Sequence, residues 1–314
     1  MRTFAWRILP FWLAGLVLGC GTLTPKGSPD ELTARGRQFF DEKNYKQAER
    51  HFRAVWSGYP TSEEAEESLF MLAETRRLRR KGSGAFESYK EFAKKFPTSR
   101  YSVAAAVGEF QLGEDYLEGN MPGFLFFSAD DSLGVEIMEH MQLHYRNHHL
   151  AQEALIRAAD FQIKDHEYQA ASILLERLLA DYPSSRFRLR ARYQLARSLY
   201  LMNEGPLYDE RLLLKSKRGF RDFIGTSRLD GMQATYAKQI AAAERMMARI
   251  DERLAEKQYL IGKFYERTEH PKSALYYYRY CIVQFPETEY AKRCSERITE
   301  LETVSAKEEE KAAG

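Results

Sequence analysis

An aromatic residue followed by proline recurs four times along the chain and constrains its fold more than any other feature. The four tetrapeptides begin at Tyr59, Phe96, Tyr182 and Phe285, and each carries a Thr or Ser after the proline. Proline disfavours helical geometry in the residue before it and lacks the N–H for the next helical hydrogen bond, so each tetrapeptide predicts the end of a helix. Because the hydroxyl side chain can cap the helix that follows, we expect helices to stop and restart at these positions.

The spacing of the tetrapeptides predicts repeated helical hairpins. The second begins 37 residues after the first, and the third begins 86 residues after the second, which leaves room for one weaker repeat with a small insertion. Fixed periods in this range are the signature of stacked helix pairs. Apolar residues before each proline recur at i, i+3, i+4 and i+7, the stripe that a helix needs to bury one face.

Small residues recur at matching positions of the paired helices, where they would let the two helices approach closely. The pattern is that of a tetratricopeptide repeat without its tryptophan. The small residues are Gly36, Ala73, Ala159 and Gly262 in the first helix of each pair, and Ala48, Ala85, Ala171 and Ala274 in the second.

The sequence therefore predicts an all-α protein. We expect a tetratricopeptide-type solenoid of about five to six helical hairpins plus a C-terminal capping helix over residues 30–303. No stretch alternates between apolar and polar residues between turn signals, so a sheet is not expected. The short, charged tail at 304–314 is expected to be disordered. Helices are predicted near residues 30–42, 44–58, 62–80, 84–95, 102–118, 131–146, 149–164, 167–181, 186–203, 208–224, 231–268, 272–284 and 288–303.

The N-terminus has the pattern of a targeting segment. Arg2 and Arg7 precede a nearly continuous apolar run that ends at Gly19-Cys20 and is too short to span a bilayer. Residues 16–20 are similar to a lipobox, in which a diacylglycerol is attached to the cysteine after cleavage. We therefore predict a signal peptide at 1–19 and a lipidated, flexible tether at 20–29 with the lipid on Cys20. An ordinary signal peptide or an N-terminal anchor is the alternative.

The charge balance and the residue after the cysteine bear on location and partners. Gly21 is not an aspartate, so the inner-membrane retention signal of such lipoproteins is absent and the outer membrane is favoured. Without Arg2 and Arg7 the basic residues fall from 47 to equal the 45 acidic ones. No net charge then attracts nucleic acid, and membrane contact is expected through the lipid alone.

Histidines and cysteines supply two candidate sites. His140, His144 and His148 follow each other at i, i+4 and i+8, which favours either a metal site on one helical face or a polar helix end without metal. No nearby cysteine or carboxylate pair completes a ligand set, so we predict no metal. Cys281 and Cys294 flank the turn at Pro286, and they are either a disulfide or two buried thiols.

Three other segments are candidate binding surfaces. The basic run from Arg76 to Lys81 is either a patch for acidic partners or a solvated helix end, where positive charge complements the helix dipole. The apolar run in the insertion 119–132 must be buried in the solenoid or in a partner. Four tyrosines close together on one helix cannot all face the core, and those outside are natural interface anchors. The candidate partner-binding residues are Phe124, Phe126, Phe127, Tyr276, Tyr277 and Tyr280.

No nucleophile elbow, phosphate loop, catalytic carboxylate pair or zinc motif occurs in the sequence. The expected role is therefore binding and not catalysis, with no cofactor apart from the covalent lipid on Cys20.

Three parts of the chain taken together resemble one family. They are the lipobox at Cys20, the opening repeat Asn44–Ala48 that leads to Tyr59-Pro60, and the segment from Arg253 to Thr288. This combination resembles the BamD family, the lipoproteins of the outer-membrane β-barrel assembly machinery. The chain is longer than typical members by roughly one helical hairpin, between Ser185 and Ala248.

The resemblance implies a periplasmic scaffold that is anchored to the outer membrane. Its C-terminal repeats would bind the β-barrel assembly protein, beside other assembly lipoproteins, and its N-terminal repeats would receive C-terminal segments of unfolded outer-membrane proteins. Stacked hairpins suit this role because they form a long concave groove. The alternative is another periplasmic repeat lipoprotein, an adaptor for cell-wall enzymes or secretion.

Overall fold

The computed structural model describes residues 26–122, 131–203, 205 and 210–313, and these residues form thirteen α-helices and no strand. The predicted all-α fold is confirmed. In chain order the helices are α1 (Pro29–Asp41), α2 (Tyr45–Gly58), α3 (Ala65–Leu78), α4 (Gly82–Lys95), α5 (Ser102–Leu117), α6 (Asp131–His144), α7 (His149–Lys164), α8 (Tyr168–Asp181), α9 (Arg188–Leu201), α10 (Glu210–Leu229), α11 (Ala237–Arg267), α12 (Pro271–Gln284) and α13 (Glu289–Ala313).

The helices stack in the order in which they occur in the chain. Each packs mainly on the helix before it and the helix after it, from α1 to α13. The pairs α1–α2, α3–α4, α5–α6, α7–α8, α9–α10 and α11–α12 make six hairpins, and α13 packs against α12 and α11 at the end of the stack. The predicted solenoid with its capping helix is confirmed.

The aromatic–proline tetrapeptides end helices α2, α4, α8 and α12, as the sequence predicts. In each case the aromatic residue donates the last helical hydrogen bond, for example from Tyr59 N to Val55 O at 2.8 Å. The proline comes next and cannot continue the series. The hydroxyl residue two positions after the proline then accepts a backbone N–H of the following turn at Ser99, Ser185 and Thr288.

The small residues lie where the paired helices touch. A Cβ atom on Gly36 would stand 2.6 Å from Cε1 of Phe52, and one on Gly262 would overlap the ring of Tyr278. The alanines predicted at matching positions are all fully buried. Close approach of α1 to α2 and of α11 to α12 therefore depends on glycine.

The core runs along the stack as a series of packed clusters. Phe52 and Tyr89 belong to the cluster of the first two hairpins, and Phe220 and Ile250 to that of the fifth and sixth. Tyr145 packs on both of the first two clusters, and Phe285 packs on both of the last two. Among the residues that the structure describes, no helix is both long and apolar enough to cross a bilayer.

The C-terminal tail differs from the prediction. Helix α13 continues through Ala313, so residues 304–313, predicted to be disordered, are helical. The segment Lys307–Ala313 contains only Glu, Lys and Ala, which are among the strongest helix formers. Net charge and low hydrophobicity indicated disorder, but a helix already nucleated by the packed first turns of α13 extends at little cost.

Cys281 and Cys294 lie together in the core between α12 and α13, where both are buried free thiols. The thiols share a hydrogen bond that, together with burial, raises the pKa of Cys294, whereas the same bond lowers the pKa of Cys281. Cys281 is therefore the thiol from which a thiolate forms first. Of the two alternatives, the structure has the buried thiols, and the disulfide stays a prediction.

We expect oxidised glutathione to convert this pair into a disulfide by two successive thiol–disulfide exchanges that release two molecules of glutathione. The bond closes a loop of roughly 15 residues and should raise the free energy of unfolding by about 3 kcal/mol. Mass spectrometry of non-reduced peptides tests the linkage, and denaturant unfolding with and without reductant tests the gain. Cys294→Ala is the control, since it cannot form the bond; equal stability of oxidised and reduced wild type would contradict the prediction.

Candidate functional site

Side chains of α2, α3, α4 and α6 line an open cavity of about 680 Å³, which we call the N-terminal groove. It lies between helices of the first two hairpins and one helix of the third. Its lining includes Arg53, Trp56, Leu69, Leu72, Arg76, Glu87, Lys90, Glu91, Lys94, Lys95, His140 and His144.

The groove is cationic although the whole chain is almost neutral. Both of its carboxylates are engaged: Glu87 accepts from Lys90 at 3.2 Å, and Glu91 accepts from Nε1 of Trp56 at 3.1 Å. In contrast, Lys94 and Lys95 form no ion pair with any residue that the structure describes. The positive charge of these lysines is therefore available to a ligand.

The groove also has an apolar part. Leu69 and Leu72 form part of its floor, and the indole of Trp56 is held edge-on against Phe96 with 6.3 Å between ring centroids. An apolar floor with cationic walls suits a peptide segment that carries apolar side chains and anionic groups.

Arg76 in the groove wall belongs to a buried ionic network around Glu49. The carboxylate of Glu49, only 5% exposed, receives Arg76 Nε at 3.4 Å, Lys81 Nζ at 3.0 Å, and Arg79. Burial opposes ionisation of this carboxyl, but the three cations outweigh it and lower the pKa of Glu49. Three of the five basic residues in the run from Arg76 to Lys81 are thus engaged by Glu49, whereas Arg80 is exposed at the helix end. This ionic network could not be predicted from local sequence because Glu49 belongs to the preceding repeat.

A second buried carboxylate lies under the groove. Glu109 of α5 has no exposed surface, and its Oε1 lies 2.6 Å from Nδ1 of His140. Burial raises the pKa of Glu109, and the hydrogen bond with His140 opposes that rise. Glu109 occupies the apolar stripe of its helix, beside Ala105 and Leu112, and an acid in such a stripe was the signal that could have revealed the pair.

The three spaced histidines do not form one cluster. The rings of His140 and His144 stack with centroids 4.1 Å apart, but His148 caps α7, where its Nδ1 accepts from Leu150 N at 3.3 Å. Burial and the neighbouring His140 lower the pKa of His144. Within the described ranges, no three His, Cys, Asp or Glu side chains are placed to hold a metal ion.

The predicted tyrosine anchors separate into an exposed pair and an inner residue. Tyr276 is 64% and Tyr280 is 42% exposed, and with Val283 they flank a shallow cavity of about 340 Å³ between Lys272 and Arg279. We call these five residues the tyrosine face of α12.

Tyr277, the third predicted anchor, is half-buried and stacks on Tyr265 with centroids 5.5 Å apart. Tyr278 is fully buried and donates to Glu266 at 2.8 Å. The predicted residues Cys20, Phe124, Phe126 and Phe127 lie outside the described residues.

Two protein families match the chain. The family described as YfiO, outer membrane lipoprotein, matches residues 128–313, more than half of the 314 residues. The chain belongs to the YfiO family of outer membrane lipoproteins. A tetratricopeptide-repeat family matches residues 67–99, which cover α3 and α4. The match to YfiO confirms the BamD-like lipoprotein that the sequence predicts.

Solved repeat structures are also similar to the chain. A tetratricopeptide-repeat protein from Cytophaga hutchinsonii is 13% identical, with 85% of this chain and 87% of that chain covered and a TM-score of 0.35. One from Parabacteroides merdae is 17% identical, with 85% and 96% covered and a TM-score of 0.33. PilW, a type IV pilus biogenesis factor, is 15% identical, with 86% and 99% covered and a TM-score of 0.28. No curated protein matches the chain significantly.

We expect Glu49→Gln to lower the free energy of unfolding at neutral pH by about 3 kcal/mol, because it leaves three cations around a buried neutral group. The folded-state pKa of Glu49 lies below its unfolded value, so its carboxylate stabilises the fold above the unfolded pKa of about 4.3. That contribution is lost as the pH falls through the folded-state pKa. Denaturant unfolding of both proteins between neutral and acidic pH measures the difference.

The matched control is Glu87→Gln, which removes an ion pair whose carboxylate is 68% exposed and should cost about 0–1 kcal/mol. A loss for Glu49→Gln as small as that of the control, or one independent of pH, would contradict a buried network.

Proposed function

We propose that this YfiO-family lipoprotein is an outer-membrane-anchored periplasmic scaffold of the β-barrel assembly machinery. Its repeats bind the barrel assembly protein and segments of unfolded outer-membrane proteins, beside other assembly lipoproteins. The observation that carries the proposal is the family match from residue 128 to 313, which takes in every helix from α6 to α13.

The N-terminal groove is the proposed site for unfolded client segments. Strands of outer-membrane barrels alternate between lipid-facing apolar residues and polar residues, so an unfolded segment offers both kinds of group. The half-buried indole of Trp56 can contact apolar side chains, and Lys94 and Lys95, which form no ion pair with the described residues, can receive anionic ones. A binding site that combines both contacts selects the client class by its chemistry without requiring a single sequence.

The tyrosine face of α12 is the proposed docking surface for the barrel assembly protein. Tyr276 and Tyr280 are large, exposed side chains on a rigid helix, and tyrosine is among the residues that contribute most to binding at interfaces. This face lies in the matched C-terminal part of the chain, whereas most of the groove precedes that part.

A lipid on Cys20 is the proposed membrane anchor, and residues 20–29 are the proposed tether. Its last residue, Pro29, begins α1, and Ser28 is the N-cap of that helix. Two or three acyl chains dissociate slowly from a bilayer, since each buried methylene contributes about 0.8 kcal/mol. We also propose that the protein lies on the periplasmic side of the outer membrane. Its proposed role is non-catalytic and requires no cofactor.

Depletion of the protein from its own cells tests the assembly role. We expect the content of many outer-membrane barrel proteins to fall together, because they share one assembly machinery, and quantitative mass spectrometry of outer membranes measures this. A complementing wild-type copy is the control. Unchanged barrel content, with recovery of only peptidoglycan enzymes or secretion components on co-purification, would favour the alternative adaptor role.

The double substitution Tyr276→Ala with Tyr280→Ala tests the docking surface. We expect the affinity for the purified barrel assembly protein to fall about tenfold or more, since an aromatic anchor contributes about 2 kcal/mol. The melting temperature should not change, because both side chains are largely exposed. Tyr59→Ala, at a 41% exposed tyrosine after the first hairpin, is the control. Wild-type affinity of the double variant would assign the docking surface elsewhere.

A further inference from the structure

Glu109 and His140 form a hydrogen-bonded pair at the floor of the N-terminal groove. Glu109 is completely buried, and its Oε2 has no hydrogen-bond partner among the described residues, so His140 is its one hydrogen-bond partner there. An ionised carboxylate without solvent is strongly unfavourable. Burial therefore raises the pKa of Glu109, although the His140 hydrogen bond and the charge of Lys90 oppose the rise, and this favours a proton on the carboxyl group.

That carboxyl proton fixes the character of the other ring nitrogen. The carboxyl O–H of Glu109 donates to Nδ1 of His140, so the ring carries its own hydrogen on Nε2. Nε2 is then a hydrogen-bond donor.

Packing holds the ring of His140 in place and directs it towards the groove. Phe86 lies edge-on to the ring with centroids 5.5 Å apart, and His144 stacks on it. The side chain is 11% exposed and lines the groove, and Nε2 bonds to no group in the described part of the chain. A donor in a rigid ring thus faces an open cavity without a protein acceptor.

The charges around this donor favour an anion. Lys94 and Lys95 of α4 line the same cavity and form no ion pair with any residue that the structure describes. Lys90 and Arg76 line it too, but they are already paired with carboxylates. A carboxylate would receive the Nε2 hydrogen together with the positive potential of the walls, whereas a neutral carbonyl would gain only the hydrogen bond.

We propose that His140, oriented by its hydrogen bond with Glu109, is a carboxylate-binding subsite of the N-terminal groove. Its Nε2–H donates to a carboxylate of the bound client segment. This inference rests on the proposed function, because the segment in the groove is taken to be part of an unfolded outer-membrane protein. The carboxylate is either the chain terminus or an acidic side chain of that segment.

Peptide binding to the purified full chain tests the subsite. The probe is a fluorescent synthetic peptide with the sequence of the last strand of an outer-membrane barrel protein. It is used with a free terminus, with an amidated terminus, and with its acidic side chains changed to amides. We expect one of the two modifications to weaken binding about tenfold, as loss of a charge-assisted hydrogen bond does. Which modification does so identifies the source of the carboxylate.

Variants of His140 connect that loss to the subsite. In His140→Phe the unmodified peptide should bind as weakly as the modified one, and the modification should have no further effect. His140→Gln, which places an amide donor near the position of Nε2, should recover part of the affinity. His144→Phe is the matched control, because His144 lines the same groove but does not contact Glu109; it should keep the full dependence on the carboxylate.

A second variant distinguishes loss of the subsite from loss of the fold. His140→Phe leaves Glu109 buried without a partner, so Glu109→Met with His140→Phe removes both members of the pair and should show the same binding loss in a folded protein. Two results would overturn the subsite. One is a wild-type affinity that is the same for all three peptides, and the other is a His140→Phe variant whose affinity still differs between the peptides. Absence of binding by every peptide would instead overturn the proposed client-binding function.

Discussion

The first and the last helix pair are held together where an aromatic ring of one helix rests directly on the backbone of its partner. Phe52 fills the space at Gly36 in the first hairpin, and Tyr278 fills the equivalent space at Gly262 in the last. Any side chain at these glycines would push the helices apart, since a packed interior has no room for an added carbon. Close pairing in turn sets the spacing of the stack and leaves the open surfaces to the other helix faces.

Polar contacts between successive repeats determine which charges remain for binding. Glu49 of the first hairpin pairs with three cations of the second, and Glu67 pairs with Arg37 of the hairpin before it. These contacts engage four basic side chains of the first two hairpins. Lys94 and Lys95 are unpaired among the described residues. The groove is therefore cationic because the contacts between repeats leave these two charges free.

The helices could be predicted from the sequence because their signals are local. Proline ends four of them, and apolar stripes define the rest, so the thirteen predicted helices correspond to the thirteen observed. The turns inside hairpins were not foreseeable: Lys43, Arg80, His166 and Glu269 adopt positive φ without glycine. Packing of the two helices imposes this conformation, which costs about 1–2 kcal/mol for such residues. The residue types at these positions give no sign of it.

The candidate sites could be predicted only in part, for the same reason. Exposure of Tyr276 and Tyr280 follows from geometry, since neighbouring positions on a helix cannot all face one core. The partners of Glu49 and Glu109 lie about one repeat away in sequence, beyond the range of any helical spacing rule.

The hydrogen bond between Glu109 and His140 links the part of the chain that precedes the YfiO family match to the part within that match. Glu109 precedes the region matched by the YfiO family, near the generic repeat at 67–99, whereas His140 lies within the matched region. The groove is formed mainly by α2, α3 and α4, which generic repeats could supply, but α6 contributes its histidines. A scaffold that added one N–H donor on a rigid ring from the next hairpin to a generic groove would gain selectivity for an anionic group without changing the fold of either part.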